Sequence, residues 1–260
     1  MRHPLLVIIL LLLTEFNCVT QNHPVRPIKI IAHRGVHLQA PENSLAAIEV
    51  AIQLRLDFVE LDVRTTVDSH LVIMHDKSID RMTPGAGLVS ELTLAELQQS
   101  RLISKNRPES AVEKIPLLSE ALQLMQGKIG IYVDLKDASP QKLLAELKKF
   151  QMLDEAVIYA GLAQLQEIKK LNLQVKIMPE VDSEEDLNRV IELLDPQVVA
   201  MSWRGFSEEL VEKIHQTGRQ VYLDILGAGD NPPGVRRTIA AGVDAIQTDD
   251  PKMVLRTIGE

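Results

Sequence analysis

The sequence predicts a (β/α)8 barrel of the α/β class, a single domain preceded by an N-terminal signal segment. Three observations carry this. Short apolar runs recur roughly every twenty to twenty-five residues with amphipathic helical patterns between them, the rhythm of parallel βαβ units. The chain has 260 residues, close to the usual length of such a barrel. Between Ile28 and Asp76 three apolar runs end in or carry chemistry: the first delivers His33 and Arg34, the second carries Glu60 and Asp62, and the third delivers His75. Polar groups gathered at strand ends are where a barrel places its active site. The resulting layout is a signal over 1–20, a linker over 21–27 and the barrel over 28–260.

The N-terminus, MRHPLLVIILLLLTEFNCVTQ, sets Arg2 and His3 ahead of an apolar run from Leu5 to Leu13. That run is too short for a spanning helix but fits the apolar core of a secretory signal cleaved near Thr20. The expectation is export to a periplasmic or extracellular space. The alternative is lipidation of Cys18, the single cysteine, which would hold the mature chain near a membrane; Phe16 and Asn17 before it do not match the small residues such processing favours. The body of the chain has no cysteine for an internal disulfide. A net charge of −8 argues against nucleic acid, and 3% aromatic residues argues against base-stacking platforms. No obligate protein partner is evident.

After the first strand, Gly35 permits a sharp turn into a loop from Val36 to Asn43. Ser44 is the N-cap of a helix, Leu45 to Leu56, with Leu45, Ile48, Ala51 and Ile52 on one face. The second strand is Phe58 to Val63, and Asp68 and Ser69 turn the chain into the third, Leu71 to Met74. Lys77 to Pro116 is the longest stretch without a clear strand, with a short helix near Thr93, and is expected to act as a lid or substrate-selecting loop. A helix from Leu117 to Met125 leads to the fourth strand, Ile129 to Leu135, which places Asp134 and Lys136 on one side. Strands then follow at Ala156–Ala160, Val175–Pro179, Val198–Ser202, Gln220–Leu226 and Asp244–Thr248. Helices lie between them at Gln141–Lys149, Ala163–Leu171, Ser183–Leu194, Ser207–Gln216 and Gly234–Ala241, and Pro251–Ile258 closes the chain. This makes nine strand candidates for eight barrel places, so one is surplus.

Residues two apart on a strand share a side, so Glu60 and Asp62 present two carboxylates to one place while Leu61 and Val63 pack the other face. Like charges that close repel unless a cation lies between them, and a hard divalent metal with oxygen ligands resolves the conflict. A solvated edge strand is the bland reading; flanking Phe58, Val59, Leu61 and Val63 suit a strand buried on both faces. His33 and His75 suit general acid and base work near a metal. Arg34 and Lys136 can neutralise a phosphate, or pair with Glu42, Asp62 or Asp134. Two imidazoles, two cations and three carboxylates fit a phosphoester better than a sugar or peptide. Trp203 follows a strand and either lines the pocket for an alcohol group or caps the barrel core. His37, His70 and His215, without partners at useful spacing, read as surface residues, and Gly227 and Gly229 in LGAGD are weak evidence for a phosphate loop.

The strings AHRG (Ala32 to Gly35), PENS (Pro41 to Ser44), VELDV (Val59 to Val63), MHD (Met74 to Asp76) and QTDDP (Gln247 to Pro251) resemble the glycerophosphodiester phosphodiesterases. The connecting DRMTPGAGLVSELTLAEL and IPLLSEAL are also similar to that family. The resemblance implies a TIM barrel that hydrolyses glycerophosphodiesters to glycerol 3-phosphate and an alcohol with a divalent metal, Ca or Mg, in lipid metabolism. It implies His33 and His75 as the acid and base pair, Arg34 as a phosphate contact, Glu60, Asp62 and Asp134 as metal ligands, and Glu42 as a polar member of the site. Two departures stand out. Asp134 replaces the family's usual Glu ahead of Lys136, a ligand one methylene shorter, and VYLDILGAGDNPP (Val221 to Pro233) replaces a late-strand run that touches the glycerol end. A phospholipase D or sphingomyelinase D-like enzyme acting on lysophospholipids is the competing expectation, and an exported phosphodiester-binding module without catalysis is another.

Overall fold

A computed structural model describes residues 28–103 and 113–259 of the chain. The expected signal, the linker and Cys18 lie outside the described residues. The strands are β1 (Lys29–Ala32), β2 (Phe58–Thr65), β3 (Leu71–Ile73), β4 (Gly130–Leu135), β5 (Ala156–Tyr159), β6 (Lys176–Met178), β7 (Val198–Ser202), β8 (Gln220–Asp224) and β9 (Ala245–Thr248). Helix α1 (Leu45–Gln53) follows β1, and α2 (Leu94–Leu97) and α3 (Leu118–Met125) lie between β3 and β4. Then α4 (Pro140–Lys149), α5 (Leu162–Leu171), α6 (Glu184–Leu194), α7 (Glu208–Gln216), α8 (Pro232–Ala240) and α9 (Pro251–Gly259) each follow a strand.

Hydrogen bonding runs in the order β6-β5-β4-β2-β1-β9-β8-β7, all parallel. The ring nearly closes where Glu180 bridges to Ala200, with the Ala200 N–H donating to Pro179 at 2.9 Å and the Val181 N–H to Ala200 at 2.8 Å. This is the expected (β/α)8 barrel. The surplus strand is β3, which pairs antiparallel with β2 and lies off the ring. Its role is geometric. β2 continues past the barrel to Thr65, and β3 brings the chain back until the Met74 N–H donates to the Asp62 carbonyl at 3.0 Å. His75 is thereby returned to the level of the β2 carboxylates.

The period of two along each strand sorts side chains between two apolar layers. Val59, Leu61 and Val63 of β2 and Ile131, Val133 and Leu135 of β4 face outward into the layer shared with the helices. Ile31, Tyr132, Val157, Met178, Tyr222 and Ala245 fill the inside. At the C-terminal ends of β2 and β4 the inward places go instead to Glu60, Asp62 and Asp134, with Asp62 level with Asp134 in the register. A third cluster, Val72, Met74, Ile79, Met82, Val89, Leu97, Leu102 and Ile115, anchors the described part of the long β3–α3 connection on the hairpin.

Local chemistry explains the boundaries. The Ser44 hydroxyl accepts from the Ala47 N–H at 3.1 Å, as its N-cap reading requires. Helix α1 stops short of Leu56 because Arg55 takes φ +53°, and the Leu56 N–H closes on the Ala51 carbonyl at 3.1 Å. Thr93 and Glu96 form a capping box on α2. Strand β8 ends at Asp224, whose side chain accepts from the Leu226 N–H at 2.7 Å.

Gly35 has φ +76°, and a Cβ there would lie 2.6 Å from the Ala47 Cβ. Gly35→Ala combines left-handed backbone strain with overpacking, an expected loss of about 2–4 kcal/mol. Urea unfolding checks this, and a midpoint equal to that of the unsubstituted chain would remove the argument.

Candidate active site

A cavity of about 250 Å³ opens at the C-terminal ends of the strands and is lined by His33, Arg34, Glu60, Asp62, His75 and Asp134, with Tyr132, Tyr159, Glu180 and Asp224 farther round the wall. All six residues first named were anticipated from the sequence. Lys136 is absent from that lining: its ammonium lies 2.5 Å from Asp134 Oδ2 and 3.0 Å from Asp62 Oδ1. Glu42 sits beside Arg34, its Oε1 accepting from Arg34 Nη1 at 3.1 Å. Trp203 does not line this cavity; it stacks on Phe206 at 5.3 Å between ring centroids and packs against the outer apolar layer.

One oxygen from each of Glu60, Asp62 and Asp134 can be chosen so that all lie within 4.8 Å of one another. Glu60 and Asp62 are 2% and 1% exposed, so their charges cannot be left to water. Burial, with Asp62 and Asp134 adding to it, pushes the Glu60 carboxyl well above its ordinary value. Burial also raises Asp134, against the pull of Lys136. Lys136 is itself raised, because the two carboxylates outweigh the opposing effect of its own burial. A buried all-oxygen set carrying more negative charge than one ammonium balances fits a hard divalent cation such as Ca or Mg.

The β1 turn builds the next part. Arg34 has φ +53°, and its backbone N–H donates to Glu60 Oε2 at 2.7 Å. Its side-chain Nε is buried without a hydrogen-bond partner and lies 3.5 Å from Asp62 Oδ2. Asn43, also left-handed at φ +55°, donates from Nδ2 to Asp62 Oδ2 at 2.7 Å and accepts the Asp62 N–H at 3.2 Å. Asn43 stands inside PENS, but nothing in spacing alone assigns it this task.

Both imidazoles are oriented by carboxylates. His33 Nδ1–H donates to Asp249 Oδ1 at 2.7 Å, and His75 Nδ1–H donates to Asp76 Oδ1 at 2.6 Å. A carboxylate only accepts, so in the neutral rings Nε2 keeps its lone pair for proton transfer. Arg64 grips the His75 carbonyl through Nε at 3.0 Å and Nη2 at 2.7 Å. Arg81 bonds Asp76 through Nε at 2.6 Å and Glu42 through Nη2 at 2.6 Å. Hydrogen bonds from Arg81, against a smaller effect of burial, hold Asp76 well below the usual carboxylate range. Burial raises Glu42, yet Arg81 and Arg34 together bring it below its ordinary value. Arg81 carries no strand-end signal and escapes sequence reasoning; only the folding of the long connection onto the hairpin brings it here.

His37 corrects the surface reading: its Nε2 lies 2.8 Å from Asp249 Oδ1, the oxygen that also holds His33. Two residues of opposite ends of the chain meet there, a contact made by barrel closure between β1 and β9. His215 likewise has a partner, Asp244 Oδ2 at 2.9 Å, on the outer surface.

Arg81→Ala leaves Asp76 and Glu42 without their shared cation and loosens His75. The expected cost is about 1–3 kcal/mol of transition-state stabilisation, roughly a ten- to hundred-fold fall in kcat/KM. Steady-state kinetics checks it; an unchanged kcat/KM would show that His75 is held without Arg81.

Comparison with known proteins places this geometry. The sequence matches the glycerophosphoryl diester phosphodiesterase family over residues 33–253. It is 30% identical over 246 residues to a glycerophosphodiester phosphodiesterase of Caldanaerobacter subterraneus subsp. tengcongensis, covering 88% of this chain and 97% of that one. Among solved structures, a phosphodiesterase of Oleispira antarctica in complex with its product sn-glycerol-3-phosphate superposes with a TM-score of 0.81 at 27% identity, covering 89% of this chain and 97% of that one. A glycerophosphoryl diester phosphodiesterase from Parabacteroides distasonis gives a TM-score of 0.78 at 25% identity over 92% and 87% of the two chains.

Proposed function

The chain belongs to the glycerophosphoryl diester phosphodiesterase family, and from that premise we propose that it hydrolyses glycerophosphodiesters to sn-glycerol 3-phosphate and an alcohol. The observation that carries this reading is the convergence of His33, Arg34, Glu60, Asp62, His75 and Asp134 on one cavity. Glu60, Asp62 and Asp134 would hold Ca or Mg, which when bound supplies positive charge for the phosphate oxygens. Arg34 adds a planar cation on the same anion.

One imidazole takes a proton at Nε2 from the attacking hydroxyl, either water or the substrate's own glycerol hydroxyl. The other gives a proton to the leaving alcohol oxygen, so that a P–O bond forms on one side as another breaks opposite; where the glycerol hydroxyl attacks, the product of this step is a cyclic phosphate, which water then opens to glycerol 3-phosphate with the two imidazoles exchanging roles. Asp249 and Asp76 steady the two rings as their charges change. The product named for the Oleispira relative supports release of glycerol 3-phosphate.

The competing reading is a lysophospholipid phosphodiesterase of the phospholipase D kind, for which the shorter Asp134 is the one favourable observation. A hydrolysis screen over glycerophosphocholine, other glycerophosphodiesters and lysophosphatidylcholine, with and without added Ca, Mg or Mn, decides between them. Glycerol 3-phosphate from the first group supports the proposal. Turnover of lysophosphatidylcholine alone, or none after metal addition, ends it. We further propose export of the mature barrel, supported by the apolar run after Arg2; N-terminal sequencing of the secreted chain tests it. Among the described residues no helix is long and apolar enough to cross a membrane.

A further inference from the structure

His33, His37 and Asp249 make a second convergence of donors, chemically unlike the first. One donor atom from each can be chosen so that all three lie within 4.8 Å of one another. Both imidazole nitrogens aim at the same carboxylate oxygen, at 2.7 and 2.8 Å, and the rings stand nearly perpendicular at 87° with centroids 5.9 Å apart. The group is reachable from solvent, with side-chain exposures of 14%, 21% and 40% for His33, His37 and Asp249. It is also braced. The Asp249 N–H donates to Asp230 Oδ2 at 2.7 Å, the His33 N–H to the Thr248 carbonyl at 3.1 Å and the His37 N–H to the Gly35 carbonyl at 2.9 Å.

Two imidazoles and one carboxylate are the donor set of a borderline metal ion, whereas Glu60, Asp62 and Asp134 offer oxygen alone and suit a hard one. We propose that His33, His37 and Asp249 bind Zn²⁺, and that the filled site switches hydrolysis off by taking the lone pair of His33 Nδ1. Zinc bond lengths of about 2.0–2.2 Å set tetrahedral donors roughly 3.3 Å apart, so the two N···O separations of 2.7 and 2.8 Å must open by about half an ångström, for side chains at the solvent edge. A water completes a tetrahedron.

The proton balance accounts for the inhibition. In the zinc-free enzyme Nδ1 carries the ring hydrogen and Nε2 is free to accept. When zinc takes the Nδ1 lone pair, that hydrogen moves to Nε2, so the ring can neither accept a proton there as a base nor become the imidazolium that an acid needs, the N–H of a neutral ring being far too weak a donor. His37 makes the corresponding exchange, its hydrogen passing from Nε2 to Nδ1. Burial favours a neutral Asp249, but hydrogen bonds from both imidazoles outweigh it and hold the carboxyl well below the usual range, ready as an anionic ligand. The inhibitory consequence rests on the role proposed for His33; zinc binding itself does not.

The test is calorimetric titration of the full chain with ZnCl₂ in excess Mg²⁺, which occupies the carboxylate site, together with zinc X-ray absorption and hydrolysis measured against each variant's own zinc-free rate. The expected result is one equivalent of zinc with an absorption spectrum showing two imidazoles. His37→Gln and Asp249→Asn should each weaken it at least about tenfold, and zinc should no longer inhibit His37→Gln at concentrations that silence the unsubstituted enzyme. Melting temperatures confirm that both variants are folded. Zinc affinity unchanged in folded His37→Gln, zinc lost instead in Asp134→Asn, or no zinc bound at all would each overturn the proposal. Binding is read without turnover, so a failure of the hydrolase reading leaves this outcome distinguishable.

Discussion

Alanine at either His33 or His75 is expected to lower kcat by about 10²–10⁴-fold, the span typical of losing a positioned general acid or base. Each ring has the same arrangement, Nδ1 on a carboxylate and Nε2 unspent, so neither substitution has a nearby imidazole to take over. His37 cannot substitute for His33, because it does not line the cavity. Both rings are partly exposed, His33 at 14% and His75 at 35% of the side chain, so removing them leaves no large apolar void and the fold should survive. The decisive measurement is kcat at saturating metal and substrate with circular dichroism of each variant. If both alanine variants turned over at the original rate, the acid and base assignment would be abandoned.

The second large effect is expected at Glu60, where activity and stability should move in opposite directions. Glu60→Gln removes a carboxylate from the proposed metal site while keeping the shape and an oxygen for the Arg34 N–H. Losing metal-assisted charge stabilisation is worth several kcal/mol, so kcat/KM should fall by about 10²–10³-fold. The metal-stripped variant should nevertheless melt higher than the metal-stripped parent at neutral pH. Burial and then Asp62 and Asp134 raise the folded-state pKa of Glu60 above 4.5, so the folded chain holds that proton more tightly than the unfolded chain does. Stability from this group is therefore complete below pH 4.5 and is lost as pH rises through the raised value. Glutamine stays neutral throughout, and the difference between the two proteins should vanish in acid. Excess Ca or Mg at neutral pH should raise the melting point of the parent and leave the variant nearly unmoved. Equal melting curves for the two stripped proteins from pH 4 to 8 would contradict the electrostatic account.

The sequence shows the barrel and half of its site plainly, for a physical reason. Strand periodicity is local, so the inward aim of Glu60, Asp62 and Asp134 can be read from residues one and two positions away. The helix boundaries shift by a few positions where a left-handed residue such as Arg55 or a side-chain turn such as that of Asp224 ends an element, details that apolar patterning does not encode. What stays hidden depends on contacts across the chain. Asp249 reaches His33 and His37 only because β9 closes against β1, more than two hundred residues away in sequence. Arg81 reaches Glu42, thirty-nine residues back, only because an apolar cluster folds the long connection down. Trp203 shows the converse: a strand-end position alone suggested the pocket, and stacking with Phe206 took it elsewhere.

The antiparallel hairpin divides the labour of the enzyme between parts of unequal sturdiness. His33 and the three clustered carboxylates are attached to the hydrogen-bonded ring, whereas His75 follows a strand with three register pairs on β2, flanked by a connection with its own small core. Gentle heating or dilute denaturant should therefore open that arm first, leaving a protein that still captures its anion but no longer turns it over.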